Sequence, residues 1–245
     1  LADTTSLNKY FEAMNAQGKG LEQHEILKVQ LMRGEKEQDY LTHIWNLTSM
    51  MDHPIIAKEE DQDEACYRQF YEEAISLCRQ KRFHEVLEKC RYTSLDDEEE
   101  YSIDVIQPEK IEFKQNSYED GENSIISFPE FLLLVLDVCT GGEQPASHYQ
   151  PDKLIEKFDA LKTYFTAGEF YEKMLYYRLL LDYYTIRRDI KDGQGNYSLI
   201  LKGPKDDSDK LKQYQSMLYV STEAFYNWLK PYLRKLEQDE LQSCA

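Results

Sequence analysis

The chain has 245 residues, of which 46 are acidic and 29 basic, so its formal net charge is −17. Hydrophobic residues make up 41% of the sequence, which is enough to build a core and excludes global disorder. No apolar run approaches the roughly 18 residues that a membrane-spanning helix needs. Only 10 glycines and 7 prolines are present, and this scarcity favours long helices over a turn-rich β-sandwich.

Helical periodicity dominates the first part of the chain. Leu41, Ile44 and Trp45 share one stripe of a predicted helix, which ends before Pro54 because the residue before a proline avoids the α region. The fourth predicted helix places a stripe of mostly apolar side chains inward, namely Cys66, Phe70, Ala74, Leu77 and Cys78. The pattern predicts five helices, over 5–16, 21–32, 37–52, 62–79 and 81–91.

A polar, acidic stretch over 93–124 interrupts this pattern and includes five consecutive acidic residues. Like-charge runs of this kind are typical of loops. We therefore expect a helical segment over 1–92, an acidic loop or linker over 93–124, and a C-terminal helical bundle with its own core over 125–245. The linker is then the expected site of first proteolytic cleavage.

The C-terminal part contains the two most apolar predicted helices. Ser127 is a candidate N-cap for the first of them, with Pro129 in its first turn. A glycine-rich turn predicts at most a small β-hairpin near 185–202. The fold class expected for the whole chain is mainly α. Helices are predicted over 129–140, 152–165, 168–186, 207–220 and 222–240.

Charge is unevenly distributed along the sequence. Residues 151–245 contain 15 basic and 15 acidic residues, so the entire negative excess lies in residues 1–150. An acidic surface repels a phosphate backbone, whereas the neutral part can approach DNA or a protein partner. Arg178, Arg187 and Arg188 are the candidate contact residues there. The alternative is an ordinary solvated face of mixed charge.

Motifs that carry catalysis or bind metals are missing from the sequence. No two cysteines form a C-x-x-C pair and no two histidines stand four residues apart, so we predict no metal site. A phosphate-binding loop and a nucleophile elbow are also absent. Cys66, Cys78 and Cys90 are interpreted as small buried side chains on helix faces. No catalytic residue is predicted.

Four segments in order resemble one family. They are YFEAMNAQGKGLEQHEILK (10–28), SIISFPEFLL (124–133), LLLDYYTIRR (179–188), and QSMLYV (215–220) followed by Trp228 and Leu229. Together they resemble the GmrS-like family, which includes the N-terminal domain of GmrSD-type restriction endonucleases of bacteria. Asn15 and Gly18 match the first family segment, whereas Gln17 stands where the family often has arginine.

The resemblance implies a ParB-like domain with an Asp-Gly-Gln-Gln-Arg motif, linked to nucleotide hydrolysis and to restriction of foreign DNA. That motif precedes the first matching segment in the family, so we expect this chain to begin after it. Asn15 and Gly18 would then lie near the nucleotide. NTP and Mg²⁺ would be cofactors of the parent protein and not of this fragment. The implied partners are the protein's own N-terminal domain, an HNH nuclease domain or subunit, and DNA for the parent.

The expected function is that of a non-catalytic, mostly helical portion of a GmrS-like anti-phage defence protein, which regulates or positions a partner or substrate. Two alternatives stay open, a portion of a nucleotide-dependent enzyme and a nucleic-acid-binding module. We expect the isolated chain neither to hydrolyse NTP nor to cleave DNA, although the parent could be an NTPase or endonuclease. A bacterial cytoplasmic location without membrane association is expected.

Overall fold

Nine α-helices and one three-stranded sheet make up the described part of the chain, which confirms the mainly α fold class. The computed structural model describes residues 22–56, 63–91, 121–145, 148–190, 196–204, 208–221 and 226–243. The helices are α1 Gln23–Met32, α2 Gln38–Ser49, α3 Glu64–Arg79, α4 Phe83–Arg91, α5 Phe128–Cys139, α6 Leu154–Leu161, α7 Ala167–Tyr184, α8 Ser208–Ser221 and α9 Tyr226–Ser243. The strands are β1 Gly121–Ser124, β2 Arg187–Ile190 and β3 Tyr197–Ile200, and a 3₁₀ turn, Pro151–Lys153, precedes α6. The helix predicted over 5–16, with Asn15 and Gly18 at or after its end, lies outside the described residues.

Helix α7 lies at the centre of the fold. Nearly every residue from Phe170 to Tyr183 is buried, because apolar and aromatic side chains surround this helix on all sides. It packs against α2, α3, α5 and α9. None of the helices in the described ranges is both long enough and apolar enough to cross a bilayer.

A capping box fixes the start of α7. The Glu169 amide donates to Thr166 Oγ1 at 3.2 Å, and the Thr166 amide donates to the Glu169 carboxylate at 2.8 Å. These bonds satisfy backbone donors that the first turn would otherwise leave free, and they place a negative charge at the helix N-terminus. The same bonds hold the pKa of Glu169 below its usual value.

We expect Thr166→Ala to lower the free energy of unfolding by about 1 kcal/mol, because it removes the N-cap acceptor of α7. Urea denaturation followed by circular dichroism measures the change. The matched control is Thr163→Ala, at an exposed threonine three residues earlier, which should change stability by less than about 0.5 kcal/mol. Equal effects of the two substitutions would contradict a capping role for Thr166.

The helices on both sides of the predicted linker share one hydrophobic core. The Trp45 ring from α2 lies edge-on to Phe128, with ring centroids 5.2 Å apart, and 5.8 Å from Tyr171. Tyr71 from α3 stacks on Tyr183 of α7 at 5.4 Å. The prediction of a separate core for 125–245 is therefore wrong, since α7 is enclosed by helices from both parts of the chain. Cleavage within 93–124 stays a prediction.

The sheet has the order β1-β2-β3 and is antiparallel throughout. Arg187 pairs with Ser124 on one side and with Ile200 on the other. The hairpin predicted near 185–202 is confirmed as β2 and β3. Strand β1 occupies the last four residues of the predicted acidic loop, and its Gly-Glu-Asn-Ser sequence has no alternating apolar pattern that would have indicated a strand.

The buried face of α3 differs from the predicted one. Cys66 is exposed, and Tyr67, Tyr71, Ala74 and Cys78 form the buried stripe. Tyrosine can occupy such positions because its ring packs as an apolar group while its hydroxyl finds a polar partner. The Ile56 amide donates to the Tyr71 hydroxyl at 3.3 Å. The predicted burial of Cys78 and Cys90 is confirmed, and that of Cys66 is wrong.

Candidate functional site

Two of the three predicted contact arginines lie inside the protein. Arg178 is 0% exposed and Arg187 is 1% exposed, and both pair with the buried carboxylate of Asp182. A buried guanidinium is not accessible to a partner at the surface. The prediction of a contact role for Arg178 and Arg187 is therefore wrong for the fold described here.

Asp182 joins three parts of the fold. Its Oδ1 accepts from Arg178 Nε at 3.0 Å and from Arg187 Nη1, and its Oδ2 accepts from the Ile55 amide at 2.7 Å. The i, i+4 spacing of Arg178 and Asp182 places both on one face of α7. Arg187 comes from the first position of β2. We name Arg178, Asp182 and Arg187 the Arg–Asp clasp.

Backbone carbonyls satisfy the remaining donors of the clasp. Arg178 donates from Nη1 to Thr48 O at 2.8 Å and from Nη2 to Met50 O at 2.9 Å, and it also bonds the His53 carbonyl. These carbonyls lie at the C-terminal end of α2, where a helix leaves acceptors free and attracts cations. Arg187 Nε donates to the Glu122 carbonyl of β1 at 2.8 Å. The clasp is thus a structural network whose charges are already engaged.

Arg188 differs from the other two arginines because it is only partly buried. Its guanidinium donates to the Ser124 carbonyl, at 2.8 Å from Nη2 and 3.2 Å from Nε. A partner at Arg188 would compete with these bonds.

Asn15 and Gly18, the other two predicted site residues, lie outside the described residues. The sequence pattern did not single out Asp182. The signal for it is the pair of opposite charges, Arg178 and Asp182, four residues apart in a mostly apolar helix, which indicates a buried ion pair.

A cleft of about 440 Å³ opens where the α3–α4 turn meets α5, the α6–α7 connection, α7 and α9. This volume falls in the range of small-molecule sites. We name it the α7 cleft. Its walls combine aromatic rings, two thiols and charged side chains, namely Cys78, Arg79, Lys81, Phe83, Val138, Cys139, Tyr164, Phe165, Glu169, Glu172, Lys173, Tyr176 and Glu237.

Most charged groups of the α7 cleft have partners in its walls. Lys173 forms an ion pair with Glu237, which also accepts a hydrogen bond from the Tyr177 hydroxyl at 2.7 Å. Arg79 Nε donates to the Tyr176 hydroxyl at 3.4 Å. Glu172 and Lys81 are the exceptions, since within the described part of the chain no hydrogen bond or ion pair reaches either of these two charged groups. Burial raises the pKa of Glu172.

The thiols of the α7 cleft are poor nucleophiles at neutral pH. Burial raises the pKa of Cys139 to about 12 and that of Cys78 well above its ordinary value. Both are therefore protonated, and reactive cysteines need the thiolate. Within the described ranges, no three metal-ligating side chains of the His, Cys, Asp and Glu types converge on one point.

An uncharged surface lies on α8. Tyr214 and Met217 are each 64% exposed and Val220 is 81% exposed, at positions i, i+3 and i+6 of one helix face. No charged residue occurs in 213–221, although 31% of the whole sequence is charged. We name Tyr214, Met217 and Val220 the α8 face.

The opposite side of α8 is fixed to the fold through Gln215. Its side-chain amide donates to Tyr184 O at 2.8 Å and accepts from the Ile186 amide at 2.9 Å. Gln215 is buried, and it bridges the end of α7 to the start of β2. These two bonds set the rotation of α8, which is why the α8 face points to solvent.

Comparisons with known proteins found no match to this chain among family models, curated proteins or solved structures.

Proposed function

We propose that this chain is a non-catalytic, mostly helical portion of a GmrS-like restriction protein and that it positions a protein partner through the α8 face. The observation that carries the proposal is the exposed, charge-free stripe of Tyr214, Met217 and Val220 on a helix that the buried Gln215 joins to the end of α7. Single exposed apolar side chains are ordinary, but three on one helix face are typical of an interaction surface. Regularly spaced apolar side chains of this kind serve as anchors in helix-mediated recognition.

Charge indicates which partner the α8 face takes. The net charge of −17 is carried by residues 1–150, and it favours a basic protein over DNA or an acidic protein as the partner that approaches the chain. Residues 151–245, which include the α8 face, have no net charge and add no repulsion of their own. The α8 face would then supply the short-range apolar contact. The HNH nuclease domain implied by the GmrS-like resemblance fits this chemistry, because a surface that binds DNA is basic. We therefore propose an HNH nuclease domain as the occupant.

The two alternatives receive less support. A nucleic-acid-binding module would need accessible cations, and Arg178 and Arg187 are enclosed in the Arg–Asp clasp. A nucleotide-dependent enzyme portion would depend on the segment with Asn15 and Gly18, together with the upstream motif that the resemblance implies. The proposal that the parent protein uses NTP and Mg²⁺ and acts on DNA comes from that resemblance alone. The proposed location in the bacterial cytoplasm has the same basis.

Titration calorimetry with a purified HNH nuclease domain of a GmrS-like restriction protein tests the proposal. We expect the double variant Met217→Glu with Val220→Glu to raise the Kd at least about tenfold, because each apolar side chain buried at an interface contributes about 1.5–3 kcal/mol. Both positions are highly exposed in the chain alone, so the substitutions should leave its unfolding midpoint unchanged.

The control is Met50→Glu, which places one added negative charge at an exposed methionine outside α8 and should leave the Kd unchanged. Three results would contradict the proposal: no binding by the unmodified chain, equal loss in the control, or retention of DNA that weakens steeply with salt. A chain that dimerises through the α8 face on its own would also overturn the assignment of a nuclease domain as its occupant.

A further inference from the structure

The half-buried Glu172 carboxylate is placed in the α7 cleft without a partner from the described residues. Removing a carboxylate from water is unfavourable unless a cation or a donor compensates. Its charged neighbours are Lys81 in the α3–α4 turn, His84 on α4 and Glu169 on α7. Neither Lys81 nor His84 forms an ion pair with Glu172, and Glu169 carries the same charge as Glu172. The cleft therefore presents an acceptor that can gain strongly from a bound cation.

Aromatic rings line the same cleft as this acceptor. Phe83, Phe165 and Tyr176 line the same cleft, together with the exposed ring of Tyr164. Aromatic faces attract cations and also pack against an apolar body. A carboxylate among aromatic rings is a suitable arrangement for an ammonium group that carries an apolar substituent.

We propose that the α7 cleft binds a small organic amine, with its ammonium group at the Glu172 carboxylate and its apolar or aromatic body against Phe83 and Phe165. This site is separate from the α8 face, so a negative binding result at the cleft would leave the proposed function unaffected. An amine is favoured over an anion because the Lys173 ammonium group of the cleft already pairs with Glu237, and titration of 3-phenylpropionate tests whether Arg79 attracts an anion instead. Lys81 is exposed, so water already solvates its charge.

Binding should weaken in acid. Burial raises the pKa of Glu172, Glu169 raises it further, and Lys81 and His84 lower it. The carboxylate that binds the ammonium group is therefore lost as the pH falls through this raised pKa, at a higher pH than for an exposed glutamate. The amine itself stays protonated over that range, so the loss reports on the carboxylate.

The experiment titrates 2-phenylethylammonium into the full chain, with 3-phenylpropionate as a probe of similar shape and opposite charge. Saturation-transfer NMR and calorimetry measure binding. We expect the amine to bind more tightly than the carboxylate and Glu172→Gln to weaken amine binding about tenfold or more, because a charge-assisted bond is lost. The control is Glu88→Gln, at an exposed glutamate of α4, which should leave the affinity for the amine unchanged.

A second readout uses the unmodified chain. Binding of 2-phenylethylammonium should weaken as the pH falls through the raised pKa of the Glu172 carboxylate, whereas the residual binding to Glu172→Gln should not change over that range. Tighter binding of 3-phenylpropionate, equal amine binding by Glu172→Gln, or amine binding by the unmodified chain that does not weaken in acid would each overturn the proposal. Absence of amine binding to the unmodified chain would overturn it as well.

Discussion

Replacing Asp182 with alanine should lower the free energy of unfolding by about 4 kcal/mol or more, enough to unfold a marginally stable domain. The carboxylate accepts from Arg178, Arg187 and the Ile55 amide, and all of these groups are buried. Its removal leaves two buried guanidinium groups without their counter-charge. Removing one partner of a buried pair costs more than the pair contributes, because the other charge stays desolvated.

Urea denaturation of Asp182→Ala measures this effect, with Asp159→Ala as the matched control. Asp159 forms an ion pair with Lys162 at 3.0 Å, in which both side chains are more than half exposed. A surface pair of this kind contributes less than about 1 kcal/mol. A loss of less than about 1 kcal/mol in Asp182→Ala would show that the Arg–Asp clasp does not hold α2, α7 and the sheet together.

Gly203→Ala should lower the free energy of unfolding by about 3 kcal/mol or more. A Cβ atom at Gly203 would lie 1.8 Å from the carbonyl oxygen of Tyr183 and 2.8 Å from its carbonyl carbon. These are backbone atoms at the end of α7, so a side-chain rotation cannot relieve the overlap. The connection after β3 would have to move away from α7.

Gly168→Ala is the control for this substitution. Gly168 lies in the first turn of α7, and an added Cβ there would meet nothing within 4 Å. Alanine is a better helix former than glycine, so this variant should gain about 0.5 kcal/mol. Thermal and urea unfolding of both variants check the pair. If the Gly203→Ala protein were as stable as the unmodified chain, the close approach of Gly203 to the end of α7 would be contradicted.

The positions of the described helices were predictable because each depends on local spacing. Leu41, Ile44 and Trp45 recur with helical period, and Ser127 and Pro129 mark the start of α5. Each described helix lies close to its predicted range. The sequence pattern predicted the wrong buried face for α3, because tyrosine has both an apolar ring and a polar hydroxyl and so does not mark a buried position clearly. Here its ring is buried and its hydroxyl is bonded.

The site features depend on contacts between distant parts of the chain. Arg178 meets carbonyls about 130 positions away, at Thr48 and Met50, and nothing in the local sequence signals that meeting. The same holds for the α7 cleft, whose walls come from several separate segments. A neutral local charge predicts a surface position for an arginine, and the one local signal against it is the spacing of Arg178 and Asp182 within an apolar helix.

The heat capacity change on binding tests the central proposal most directly. Calorimetry at several temperatures, with the HNH nuclease domain titrated into the chain, should give a clearly negative value, because apolar surface on Tyr214, Met217 and Val220 leaves water. The value should move towards zero in the variant Met217→Glu with Val220→Glu. A heat capacity change near zero for the unmodified chain, or one that the double variant leaves intact, would contradict the account.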